Sequence, residues 1–253
     1  MMPYFKKIKF LFQSDTPFII YIELLKNKFR RNKYLKLRPL KNNYLKLINH
    51  KQYSVNWFAE NIEHWIFTFE SIGIKSNKLN ILEIGSWEGL SAVFILSYFD
   101  NSTLTCVDTW AGADEHSEVD MERIEKNFNA NVSTFQNRIV KIKLDSASFF
   151  AKYKNSEKYD LIYIDGSHYV DDVLIDAISA FECLKEGGIL IFDDYLWDQY
   201  CDVKENPALA VNTFLRIKKS HLKILAAYSQ LIVQKISSNQ KKINKFIISD
   251  DHK

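Results

Sequence analysis

Residues 80–108 read NILEIGSWEGLSAVFILSYFDNSTLTCVD. An apolar strand runs into Glu83, a turn bounded by Gly85 and Gly89 follows, and a helix then leads to a second apolar strand that ends at Asp108. Glycines let a ligand approach the backbone closely, and an acid that ends the second strand can hold both hydroxyls of a ribose. This stretch therefore predicts one half of a nucleotide-type binding site.

The same turn excludes two kinds of phosphate site. Its glycines are spaced G-x-x-x-G, whereas a turn that seats a pyrophosphate reads G-x-G-x-x-G. No Lys-Ser or Lys-Thr pair opens the following helix, so a P-loop is excluded as well. A ligand with a ribose but no phosphate, next to a strand that carries Glu83, points to S-adenosylmethionine.

Four segments resemble the class I S-adenosylmethionine-dependent methyltransferases in order and spacing, namely ILEIGSWEGLSA, LTCVDTWAG, YDLIYIDGSHYVDDVLIDA and LKEGGILIFDDYLW. They are most similar to the bacterial branch near macrocin-type and cephalosporin-biosynthesis methyltransferases, whose metal site is similar to that of catechol O-methyltransferases. The resemblance covers residues 50–236. It implies S-adenosylmethionine as a cofactor and a Rossmann-like sheet of seven strands.

The order of elements predicts the same α/β fold. Strands are predicted at 80–84, 103–108, 139–143, 161–165 and 189–193, and helices at 52–72, 89–99 and 170–184, with others after Val119, Asp145 and Pro207. Strands that alternate with helices indicate a doubly wound, mostly parallel sheet with helices on both faces. Two final strand-like runs, LKILAA and LIVQKI, predict an antiparallel edge hairpin.

In doubly wound sheets, ligands bind beyond the carboxyl ends of the strands. The resemblance places Glu83 and Gly85 on the methionine side of the cofactor and gives the ribose hydroxyls to Asp108. It assigns further cofactor contacts to the turn residues Ser86, Gly89 and Ser91, to Thr109 and Trp110 beside Asp108, and to Asp145 and Ser146 near the adenine. Some of these residues have simpler interpretations: Asp108 as a strand cap, Trp110 as packing and Asp145 as a helix N-cap.

Three acids predict a metal site at the same edge of the sheet. Asp165 ends the fourth strand, and Asp193 and Asp194 end the fifth, with one crossover helix between the strands. Adjacent parallel strands lie only ~4.8 Å apart, so the three carboxylates converge and raise one another's pKa unless a cation neutralises them. Oxygen ligands select hard ions, here Mg²⁺ or alternatively Mn²⁺ or Ca²⁺. The simpler interpretation is three ordinary acids at strand ends.

His168 follows Asp165 by three residues, where catechol-type enzymes carry a lysine as general base. A histidine is well suited to removing a proton at neutral pH, so we predict His168 as the base and Asp165 as its catalytic neighbour. Alternatively, His168 is hydrogen-bonded to a nearby loop. Catechol-type enzymes also end the acid pair in asparagine, where this chain has Asp194. His116 lies on a polar segment that predicts a surface loop or a lid.

Charge divides the chain into three parts. Residues 1–51 form a basic and partly apolar extension with 13 Lys and Arg against 2 Asp and Glu, residues 52–238 form the methyltransferase domain, and residues 239–253 are a lysine-rich tail. Phe12, Phe18 and Ile19 are among several residues that make the extension too apolar for a solvated tail. We expect it to contact the domain, another subunit in a homo-oligomer, or the surface of a membrane.

The sequence thus predicts a metal-dependent O-methyltransferase that acts on a small-molecule or saccharide hydroxyl. Three cysteines without metal-ligand spacing and the absence of a long apolar run predict a cytoplasmic protein. Two alternatives stay open at this stage. One is a non-catalytic cofactor-binding or scaffold protein, and the other is a nucleic-acid methyltransferase recruited by the basic extension. Against the second, Asp193-Asp194 is followed by Tyr195 rather than by a Pro-Pro-Tyr type motif.

Overall fold

The computed structural model describes residues 4–112, 119–153 and 158–237, and His116 and residues 239–253 lie outside them. The strands are β1 (Asn80–Ile84), β2 (Thr103–Asp108), β3 (Ile139–Lys143), β4 (Tyr159–Ile164), β5 (Leu184–Phe192), β6 (Leu222–Ala227) and β7 (Leu231–Lys235). Within the described residues they form one sheet in the order β3-β2-β1-β4-β5-β7-β6. The first five strands are parallel, and β7 pairs antiparallel with both β5 and β6. The predicted doubly wound sheet with an antiparallel edge hairpin is confirmed.

Helices cover both faces of this sheet. The described residues form α1 (Tyr4–Gln13), α2 (Phe18–Phe29), α3 (Arg31–Ile48), α4 (Ile62–Ile72), α5 (Leu90–Tyr98), α6 (Met121–Asn131), α7 (Ser146–Tyr153), α8 (Val170–Cys183) and α9 (Pro207–Ile217). Successive strand residues face opposite sides, so that Ile81 joins a core with α4, α5 and α6, and Leu82 joins a core with α7, α8 and α9. Burial on both faces explains the apolar runs at residues 161–164 of β4 and 189–192 of β5.

Two predicted boundaries are wrong. The helix predicted for residues 52–72 begins only at Ile62. Residues 52–54 are instead bonded to other elements, Ser54 to Glu88 in the turn after β1 and Gln52 to the side chain of Asn131. The strand predicted from residue 189 begins at Leu184, directly after α8, and its register against β4 shifts between Tyr159 and Leu161. In both places tertiary contacts override the local pattern.

The N-terminal extension is helical and packs partly on the domain. Phe10, Leu11 and Ile20 are buried in the core that also contains α8 and α9. Asn212 of α9 donates to the carbonyl oxygen of Ser14 over 2.8 Å, which fixes the turn between α1 and α2. Among the described residues, no helix is both long and apolar enough to cross a membrane.

Gly85 shows how tightly the first turn packs on the sheet. Its φ angle is +82°, and a Cβ atom added there would lie 1.8 Å from the carbonyl oxygen of Asp165. Gly89, with φ of +76°, would place a Cβ atom 3.0 Å from the ring of Phe128. The glycines are therefore required by contacts within the protein, in addition to the ligand approach that the sequence predicts.

We expect Gly85→Ala to destabilise the protein far more than Gly187→Ala. Both glycines have a left-handed backbone, with φ of +79° at Gly187, but no atom lies within 4 Å of a Cβ added at Gly187. Gly187→Ala should therefore cost only the left-handed strain, about 1–2 kcal/mol of unfolding free energy. Gly85→Ala adds a backbone clash and should cost about 3 kcal/mol or more. Urea unfolding followed by circular dichroism measures both, and equal losses would contradict the proposed contact.

Candidate active site

Asp108 holds the turn after β1 through its carboxylate. Asp108 Oδ2 accepts hydrogen bonds from the backbone N–H groups of Ser86, at 2.8 Å, and Trp87, at 2.9 Å. Asp108 Oδ1 accepts one from the backbone N–H of Trp110 at 2.7 Å. Because a carboxylate oxygen can accept two hydrogen bonds, Oδ1 retains acceptor capacity for a ligand hydroxyl. Asp108 is thus both a structural clamp and a partly exposed acceptor at the end of β2.

Glu83 lies underneath the turn and is fully buried. Its oxygens accept hydrogen bonds from Ser86 Oγ and Ser91 Oγ, each at 2.6 Å, and from Cys106 Sγ at 3.3 Å. Burial raises the pKa of Glu83, and the three donors act in the opposite direction. Glu83 therefore supports the turn from below in this structure, which sequence reasoning missed, and its contact with the methionine part of a cofactor stays a prediction.

The residues after β2 and β3 divide between packing and capping. Trp110 is buried against Phe128, and its Nε1 donates to the carbonyl oxygen of Trp87 over 2.9 Å, which favours the packing interpretation. Thr109 Oγ1 accepts from the backbone N–H of Ala111 at 3.1 Å. Asp145 Oδ1 accepts from the backbone N–H of Ser148 at 2.7 Å, as an N-cap of α7 does. The exposed Asp145 and its half-buried neighbour Ser146 both lie at the start of α7.

Asp165, Asp193 and Asp194 meet at the ends of β4 and β5. Each offers one carboxylate oxygen within 4.8 Å of the others. Removal from water and the charges of its two neighbours raise the pKa of Asp165 well above its usual range. Burial, and after it the charge of Asp194, raise the pKa of Asp193 to about 6. Three clustered acids that offer only oxygen donors fit a hard divalent cation.

His168 lies beside this cluster. Its Nε2 is 2.8 Å from Asp194 Oδ2, and its ring stacks on Trp197 with centroids 4.5 Å apart and planes at 5°. Trp197 packs edge-on against Tyr200, which stacks on Tyr169. His168 is therefore held by Asp194 of the cluster and by the aromatic wall of Trp197, Tyr200 and Tyr169. It lies beside the acids, as predicted for the base, and it also makes a hydrogen bond to a loop, as the simpler interpretation expects.

A buried hydrogen-bond chain behind the acids was missed by sequence reasoning. Trp65 Nε1 donates to Gln230 Oε1 over 2.6 Å, and Tyr228 donates to the same oxygen over 2.5 Å. Because an indole N–H can only donate, it keeps the Gln230 oxygen on its own side and turns the amide nitrogen toward Tyr163. Gln230 Nε2 donates to the Tyr163 hydroxyl over 3.4 Å.

Tyr163 connects this series of hydrogen bonds to the acids. Its hydroxyl lies 2.9 Å from Asp165 Oδ2 and also contacts Asp193 Oδ2. With a lone pair facing Gln230, the single hydroxyl proton lies on the side of the two carboxylates, which share it. The hydrogen-bond series from Trp65 to Tyr163 thus orients both acids from the interior. Its sequence signal is weak, because Tyr163 and Gln230 belong to apolar strands or their edges and are far apart in the chain.

A second missed feature is a strap over the turn. The carboxylate of Glu88 is buried and accepts from the Ser54 backbone N–H at 2.6 Å and from Asn127 Nδ2 at 2.7 Å. Asn131 Nδ2 donates to the carbonyl oxygens of Gln52 and Glu88. These bonds hold residues 52–54 against the turn.

Asp176 is a third missed residue. It lies on the buried face of α8 with Val173 and Ala177, and it is only 2% exposed. Burial raises its pKa to about 7, and a hydrogen bond with Ser146 at the start of α7 acts in the opposite direction. An acid on the apolar face of a helix is the sequence signal that could have identified it.

Residues 82–195 match a family model described as a methyltransferase domain. The matched segment is a little under half of the chain. This match agrees with the S-adenosylmethionine-dependent methyltransferase that the sequence predicts. An uncharacterized protein of Acanthamoeba polyphaga mimivirus is 28% identical over 137 residues, which are 53% of this chain and 57% of the viral protein.

Two solved structures share the fold of the methyltransferase domain. MycE, a methyltransferase from the mycinamycin biosynthetic pathway in complex with Mg, SAH and mycinamycin VI, is 17% identical with a TM-score of 0.55, over 82% of this chain and 57% of MycE. The O-methyltransferase TomG from Streptomyces achromogenes, involved in tomaymycin synthesis, is 9% identical with a TM-score of 0.50, over 68% of this chain and 78% of TomG. The chain therefore spans little more than half the length of MycE and of the viral relative.

We expect Tyr163→Phe to weaken cation binding, because the variant removes the donor that orients Asp165 and Asp193. Loss of such an outer partner typically lowers metal affinity by roughly 10- to 100-fold. Calorimetric titration with Mg²⁺ or Mn²⁺ measures the change. Tyr159→Phe is the matched control, since Tyr159 lies on the same strand at the opposite end from the acids. If both variants bind the cation like the wild type, Tyr163 has no orienting role.

We expect Asp176→Asn to stabilise the protein increasingly as the pH rises from about 4 to about 7. An acid whose pKa is raised on folding binds its proton more tightly in the folded state, so wild-type stability falls as the pH rises through this interval. The variant lacks that loss. The difference in unfolding free energy between variant and wild type should therefore increase by up to about 4 kcal/mol over this interval. Urea unfolding at several pH values measures it, with the exposed Asp171→Asn on the same helix as control. A pH-independent difference would contradict the buried acid.

Proposed function

We propose that the protein transfers the methyl group of S-adenosylmethionine to a hydroxyl of a small molecule or saccharide, with a divalent cation held by Asp165, Asp193 and Asp194. The observation that carries the proposal is the contact between the two halves of the site. Gly85 of the cofactor turn lies directly against the backbone of Asp165. A donor bound at the turn and an acceptor bound at the acids would therefore be neighbours.

The bound groups would supply the electrophile and the Lewis acid: a sulfonium methyl from the cofactor, and a cation that lowers the pKa of an acceptor hydroxyl. The chain's own residues then have defined tasks. Asp165, Asp193 and Asp194 would hold the positive charge, and Asp108 would hold the ribose. Fixing both reactants side by side is by itself a large source of rate enhancement.

His168 is proposed as the general base. The carboxylate of Asp194 next to Nε2 favours the tautomer that carries its proton on Nε2. Asp194 would then stabilise the imidazolium. The stack on Trp197 fixes the plane of the His168 ring, so that a general base at this position would have a defined orientation toward its substrate.

The aromatic wall supports an acceptor with an apolar or saccharide face. Trp197 and Tyr200 continue from the acid pair and stand beside His168. Tyr195, which directly follows Asp194, is fully buried, and its hydroxyl donates to Asn212 Oδ1 over 2.8 Å, so it belongs to the core and not to this wall. MycE was solved in complex with Mg, SAH and mycinamycin VI, which agrees with a small-molecule acceptor and a divalent cation in this chain.

We expect Asp165→Ala and Asp193→Ala to abolish cation-stimulated turnover while S-adenosylmethionine affinity stays within a few-fold of the wild type. Loss of the charge stabilisation should lower kcat by at least about 100-fold. The assay measures S-adenosylhomocysteine formed with a panel of phenols, macrolides and saccharides, with and without a chelator. Calorimetry reports cofactor binding, and Asp171→Asn, an exposed acid of α8, is the control.

Two outcomes would overturn the proposal. Turnover that is unchanged by the chelator would show that the reaction does not need the cation. Cofactor binding without turnover on any acceptor would favour the non-catalytic alternative instead.

A further inference from the structure

Helix α2 carries an apolar stripe on its solvent side. Phe18, Ile22, Leu25 and Phe29 recur at intervals of three and four residues and so share one face. Phe18 is 78% exposed, Leu25 55% and Phe29 79%, while Ile22 is half-buried. An exposed row of this length on a helix differs from scattered single apolar residues and marks an interaction surface.

The opposite face of α2 is already occupied. Ile20 is fully buried in the core of the domain, and Leu24 packs against the same core. Asn27 accepts a hydrogen bond from the Tyr34 hydroxyl at 2.6 Å. The helix therefore has two apolar faces, and packing of the domain uses one of them. The solvent-facing stripe is not needed to hold α2 in place.

Basic residues border the stripe on both sides. At 100° per residue, Lys26 and Lys28 lie roughly 80° to either side of its centre. Arg31 and Lys33 follow at the start of α3 and are exposed. The two acids of residues 1–51 are paired, Glu23 with Lys26 and Asp15 with Arg216. An apolar face flanked by lysines is the arrangement of helices that lie in the plane of an anionic membrane.

We propose that the stripe of α2 docks the protein on an anionic lipid surface, with Phe18, Leu25 and Phe29 entering the interface and the flanking lysines meeting lipid headgroups. The charges favour this occupant over a second copy of the chain. A two-fold contact would bring the same basic face of both copies together. Nucleic acid would use the basic residues but would leave the apolar stripe exposed to water.

Vesicle sedimentation tests the proposal on the full chain. Vesicles of phosphatidylcholine mixed with an equal part of phosphatidylglycerol should bind the wild type, and pure phosphatidylcholine should bind it roughly tenfold less or weaker. The double variant Leu25→Gln/Phe29→Gln should lose at least about tenfold in binding to the anionic vesicles, about 1.4 kcal/mol. Ile217→Gln, at a residue of α9 that is 58% exposed, is the matched control and should bind like the wild type.

The double variant also separates this proposal from the methyltransferase assignment. Both replaced residues are on the surface and outside the candidate active site, so its turnover without vesicles should equal that of the wild type. Equal vesicle binding by wild type and double variant would overturn the proposal. So would a wild type that ignores anionic vesicles, whether it dimerises through the stripe in sedimentation equilibrium or binds RNA through its lysines.

Discussion

Like-charge repulsion among three carboxylates at the tips of two adjacent strands is the constraint on which the site depends. Parallel pairing of β4 with β5 brings Asp165 and Asp193 to the same edge, and Asp194 follows with a left-handed backbone at φ of +50°. Nothing in a hydrophobic core favours such a cluster. The surrounding structure compensates by directing donors at it, from Tyr163 on the inside and His168 on the outside.

The N-terminal extension is linked to this site by charge as well as by packing. Lys6 of α1 pairs with Asp198 at 2.7 Å, and Asp198 follows Trp197, which stacks on His168. The same extension anchors its first turn on Asn212, whose Oδ1 accepts from the buried Tyr195. Residues 4–20 are therefore part of the support of the aromatic wall, and a description of the domain that begins at residue 52 leaves that support out.

The sequence predicts the fold well because its signals are local. Apolar runs that end in an acid define β1, β2 and the ends of β4 and β5, and the glycine turn marks the cofactor edge. It predicts that the acids lie together because the carboxyl ends of adjacent parallel strands lie at the same edge of the sheet. It fails for Tyr163, Gln230 and Trp65, since a hydrogen bond between residues 65 and 230 has no periodicity. It also fails for residues 52–54, where bonds to Glu88 and Asn131 replace the helix that the apolar spacing favours.

The chain from Trp65 through Gln230 to Tyr163 has a direction, because its first member can give a proton but cannot receive one. Replacing one member of such a series by an apolar residue leaves a buried donor or acceptor without its partner. We therefore expect related proteins that keep the acids at the strand ends to change positions 65, 163 and 230 together or to retain all three.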